Sequence, residues 1–157
     1  MRQSLFDPHT TKYRHQNAHL LAKASSLAYQ SPYVIKPEVL QWGFSQFTFI
    51  DREDSQAFMA GNMEMIIIAF RGTEPTTLQD WMTDLKIRRK TGPYGKVHRG
   101  FLKGFQAVWP EIRSVIKNWQ TQAQSLWLTG HSLGGALANL SKYGFSLSRE
   151  HQLYRVS

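Results

Sequence analysis

The chain has 157 residues, no cysteine and a formal net charge of +8, with 41% hydrophobic and 19% charged residues. That balance excludes a disordered tail, and the absence of cysteine excludes a disulfide scaffold or a thiolate-ligated metal site. The length suits one domain of ordinary size. Met65 to Phe70 is the main central apolar run, six residues, where a spanning helix needs about 20. The first fifteen residues contain no apolar stretch of the kind a secretory leader carries. The expectation is a cytoplasmic protein, with the positive charge favouring peripheral contact with anionic surfaces.

In chain order, residues 1–14 are polar and read as a loose arm. Asn17 to Tyr29 reads as a helix, because Leu20, Leu21, Ala24, Leu27 and Ala28 recur at helical spacing. Ser31-Pro32 ends it. Gln41 to Asp51 reads as a strand, Asp51 to Ser55 as a charged turn and Gln56 to Ala60 as a second strand. Gly61-Asn62 is a hairpin turn signal. Met63 to Phe70 follows as a buried strand, apolar at nearly every position.

Arg71 to Pro75 reads as a loop. Thr77 to Arg88 has Leu78, Trp81, Met82 and Leu85 at helical spacing and predicts a short amphipathic helix. Thr91 to Lys96 reads as a turn region. Gly100 to Gln120 reads as a long helix that Pro110 should kink or break. Ser125 to Thr129 is a short strand and Gly134 to about Leu147 a helix. Strand and helix in alternation predict an α/β fold with a mostly parallel sheet and flanking helices.

The strongest chemical signal is Gly130-His131-Ser132-Leu133-Gly134, a G-x-S-x-G between an apolar strand and an Ala/Leu-rich helix. That context is the one a nucleophile elbow requires. The turn lifts the serine oxygen above the sheet edge. It also aims the first helical N–H groups at an incoming oxyanion.

Gly130 to Ala138 resembles the elbow of the class 3 lipases, a branch of the α/β-hydrolases. Ala69-Phe70-Arg71-Gly72-Thr73 resembles the oxyanion-loop motif of that family. Val97-His98-Arg99-Gly100-Phe101 resembles the segment that opens its next helix. Asp80 to Leu85 resembles its lid region. The four blocks occur in the family's order, and the likeness covers about residues 17–147.

The resemblance implies an α/β-hydrolase fold and hydrolysis of acyl esters, triacylglycerol-like lipids among them, through an acyl-enzyme on Ser132. It implies oxyanion donors at the backbone N–H groups of Leu133 and Thr73, each worth about 3–4 kcal/mol in the transition state. Read alone, Thr73 serves equally as a turn residue after a strand. The Leu78, Trp81, Met82, Leu85 stripe fits either a lid or a helix packed on the core. His98 and His131 read as structural. No cofactor and no metal is expected.

The family's acid and base follow the serine along the chain. After Ser132 the only acid is Glu150 and the only histidine is His151. As sequence neighbours they cannot form a triad with it, and a helix of 18 residues would carry them about 27 Å away. Residues 1–157 therefore read as a single incomplete, C-terminally truncated domain, inactive alone, whose last strand has an exposed edge. The alternative is a non-catalytic remnant that binds lipid or a membrane surface, with Lys86, Arg88, Arg89 and Lys90 beside the lid stripe. Those charges also fit a solvated loop. The positive charges are scattered and no nucleic-acid motif is present, so no nucleic-acid partner is expected. The same elbow serves thioesterases, peptidases and acyltransferases. Oligomeric state is not readable.

Overall fold

The computed structural model describes residues 6–72, 89–92, 95–119, 124–147 and 155–156. Helix α1 spans His15–Leu27 and α2 Pro32–Gln41. Strands β1 (Gln46–Arg52), β2 (Ser55–Gly61) and β3 (Met65–Phe70) follow, then β4 (Arg89–Gly92) and β5 (Gly95–His98). Helix α3 (Arg99–Trp119), strand β6 (Ser125–Gly130), helix α4 (Leu133–Leu147) and strand β7 (Arg155–Val156) complete the order.

The main sheet has the order β1-β2-β3-β6-β7. β1 to β3 form antiparallel hairpins, because a turn of a few residues can only reverse the chain. β6 joins β3 in parallel after the crossover through α3, and β7 joins β6 in parallel. The expectation of parallel pairing thus holds from β3 onward, and the sheet as a whole is mixed. The outer edge of β6 was expected to be bare. β7 covers it at Ser125 and Leu126.

All six residues of β3 are buried, because helices cover both faces of the sheet. Ile66, Ile68 and Phe70 face a core shared with Val108, Ile112 and Ile116 of α3 and Leu137 and Phe145 of α4. Met65, Ile67 and Ala69 face a second core with Ala24 and Ala28 of α1, Ile35 and Val39 of α2, and Trp127. Alternation along one strand thus feeds two apolar layers, each fully buried Ile stabilising by about 1.5–3 kcal/mol.

Three elements differ from the sequence reading. Pro32 does not merely end α1. It stands in the first turn of α2, where its missing N–H costs nothing. Gln41 therefore ends a helix, and β1 starts at Gln46. Pro110 lies inside α3, which runs as one element to Trp119. Gln106, whose carbonyl loses its helical donor, is exposed together with Pro110, so water can satisfy it. Thr91-Gly92 and Gly95-Lys96 stand in the paired strands β4 and β5 rather than in a turn region alone.

Residues 6–9 were expected in a loose arm and are instead docked. The Trp127 indole Nε1 donates to the Pro8 carbonyl at 3.2 Å, and His9 Nδ1 lies 3.2 Å from the Ser125 hydroxyl. The Asn17 amide and the Asp7 backbone exchange two hydrogen bonds. Phe6 meets Trp127 edge-on with ring centroids 5.0 Å apart. Polar composition hid this contact, because the need for it arises on α1 and β6.

Candidate functional site

In the register of the parallel pair, Phe70 stands opposite Gly130. Both strands therefore end at one level. β3 delivers Arg71 and Gly72 to the sheet edge, and β6 delivers His131 and Ser132 beside them. The carboxyl ends of parallel strands are where α/β sheets place their sites.

The turn after β6 is tight. Ser132 has φ of 57°, in the left-handed region that non-glycine residues avoid. Its carbonyl accepts from the N–H groups of Gly135 (3.0 Å) and Ala136 (3.3 Å), which starts α4 directly from the turn. Ser132 is exposed. Among the described residues its hydroxyl has no hydrogen-bond partner, and the Leu133 N–H is likewise unbonded.

Close approach explains the flanking glycines. A Cβ on Gly134 would run into the Phe70 carbonyl, and one on Gly130 into the Gly134 carbonyl. The elbow thus rests on the end of β3 with no room for a side chain. Gly72 repeats this from the other strand, since a Cβ there would meet the His131 carbonyl and the Tyr29 hydroxyl.

The ring of His131 points toward α1, and its Nδ1 lies 3.3 Å from the hydroxyl of Tyr29. The Arg71 guanidinium lies over the Tyr29 ring, 5.7 Å from its centroid, and Arg71 Nη1 donates to Gln56 Oε1 at 3.0 Å. On the other side of the elbow, a cavity of about 230 Å³ opens between the β1–β2 turn, the first turns of α3 and Leu133. Glu53 and Lys103, 3.2 Å apart, stand among its lining residues. His98 Nδ1 accepts from the Gly100 N–H at 3.2 Å and caps α3, which is a structural task.

Of the residues singled out in the sequence, Gly130, His131, Ser132, Leu133 and Gly134 come together at this edge. Thr73 and the lid stripe of Leu78, Trp81, Met82 and Leu85 lie outside the described residues. So do Glu150 and His151.

The family described as lipase (class 3) matches residues 67–157, more than half of the chain. The chain belongs to the class 3 lipase family. A triacylglycerol lipase of Arabidopsis thaliana is 26% identical over 186 residues, covering 87% of this chain and 36% of that protein. A lipase of Rhizomucor miehei is 36% identical over 94 residues, covering 55% of this chain and 25% of that protein. The solved triacylglyceride lipase of Rhizomucor miehei superposes with a TM-score of 0.63 at 23% identity, over 92% of this chain and 62% of that one. A lipase structure from Rhizopus microsporus var. chinensis gives 0.60 at 21% identity, over 94% and 58%. These structural likenesses carry the α/β-hydrolase fold. The chain spans well under half the length of the curated relatives it matches.

Within this class 3 lipase chain, sequence reasoning missed Tyr29, Gln56 and Ser55 as neighbours of the elbow region. Tyr29 lies in the turn just after α1, and only the fold brings it to His131, 102 positions away along the chain. No helix among the described residues is long and apolar enough to cross a membrane.

Proposed function

We propose that this class 3 lipase chain carries the nucleophile and oxyanion-binding part of a serine ester hydrolase acting on acyl esters of the triacylglycerol type. The observation that supports it best is Ser132, an exposed non-glycine residue at φ of 57° between a strand and a helix. Such a backbone conformation costs about 1–3 kcal/mol and persists at sites where function requires it.

The Ser132 Oγ attacks the ester carbonyl carbon and its proton passes to a base. The carbonyl oxygen becomes an oxyanion that accepts from the Leu133 N–H, helped by the positive end of α4. In this reading the Thr73 N–H is the second donor. Collapse breaks the bond to the alcohol, which leaves with the proton, and water then releases the acid from the acyl-enzyme. No side chain among the described residues bonds the Ser132 hydroxyl, so the base is sought outside them.

The test is hydrolysis of a short p-nitrophenyl ester by the 157-residue chain beside Ser132→Ala. Turnover lost by about 10³-fold or more in the variant supports the reading. Measurable turnover that is equal in the two overturns it.

A further inference from the structure

We propose that Tyr29 is a positioning residue that sets the spacing between the two strand ends at this site, acting through His131 and Gly72. The proposal rests on the hydrolase reading for its catalytic meaning, but its geometry is testable without turnover.

Two neighbours converge on one hydroxyl. The Tyr29 oxygen lies 3.3 Å from His131 Nδ1, on the residue just before the nucleophile. It also sits so close to Gly72 that a Cβ there would strike it. The same imaginary Cβ would strike the His131 carbonyl. Gly72 is thus wedged between the elbow backbone and a phenol supplied by the turn after α1. The phenol is itself held, because Arg71 lies over its ring at 5.7 Å and the Arg71 N–H donates to the Gln56 carbonyl at 2.9 Å.

The consequence is mechanical. The residue after Ser132 supplies an N–H assigned to the oxyanion. Its position relative to Gly72 depends on how closely the end of β3 approaches the elbow. Gly134 against the Phe70 carbonyl fixes that approach on one side. Tyr29 fixes it on the other and holds the His131 ring away from the nucleophile. A donor displaced by about 1 Å loses much of its effect on a transition state.

Tyr29→Phe is the informative substitution, because it keeps the ring, its packing and the Arg71 contact while removing only the oxygen. The full 157-residue chain is compared with this variant by three measurements: backbone amide spectra, thermal midpoint, and the rate at which a p-nitrophenyl alkylphosphonate modifies Ser132. The expected result is shifted Gly72 and Leu133 amide and His131 ring signals at an unchanged midpoint, with phosphonylation slowed about tenfold.

Unchanged Gly72 and Leu133 signals would overturn the proposal. So would shifts spread over the whole chain with a lowered midpoint, or an undiminished phosphonylation rate. Reaction of the parent chain at a residue other than Ser132 would sink the hydrolase reading; in that case, and if the parent chain does not react, the amide signals alone decide the role of Tyr29.

Discussion

Ser132 holds a conformation that its own side chain opposes, so its neighbours must enforce it. Gly134 is the strictest of them, because any side chain there meets the Phe70 carbonyl. Gly134→Ala should destabilise the chain by about 3 kcal/mol, read as a lowered denaturant midpoint. An unaffected midpoint would show that the end of β3 yields easily. These glycines were legible in the sequence, since the G-x-S-x-G spacing states the need for close approach. Tyr29 was not, because nothing in Ser26-Leu27-Ala28-Tyr29, where α1 gives way to a turn, says which strand end the last side chain will reach.

The long helix α3 shows what periodicity does and does not tell. Val108, Ile112 and Ile116 recur at helical spacing along it, and they are fully buried. Pro110 reads as a breaker in any local scheme, yet packing of that stripe on the sheet outweighs the loss of one hydrogen bond. Pro110→Ala should therefore raise stability, by up to about 3 kcal/mol, seen as a higher thermal midpoint. α2 was lost to the sequence reading for the converse reason. Pro32 read as punctuation, although it occupies a helix-starting position. β3 was the most legible element, and Ile68→Ala should cost about 2–5 kcal/mol by leaving a cavity in a core that cannot collapse from either face.

For the molecule as a whole, stability should be graded outward from β3. It pairs on both edges, with β2 and with β6, and is covered on both faces. Its amides should be the slowest to exchange with deuterated solvent. Amides of β3 that exchange as fast as those of β1 would contradict this ordering. The two-sided burial was written in the sequence as an unbroken apolar run. The reversal from antiparallel to parallel pairing at β3 was not, because it depends on connection length and on what covers each face.

The docking of residues 6–9 has a bearing on how the molecule can be held. Pro8 and His9 meet Trp127 and Ser125 in the first half of β6, whereas Ser132 follows its last residue. At about 3.3 Å per residue, the strand keeps this anchor roughly 20 Å from the elbow. A linker joined ahead of residue 6 and grafted to a bead or electrode would grip the molecule by its rear. The nucleophilic rim would then be presented to the bulk liquid, and every immobilised copy would share that orientation.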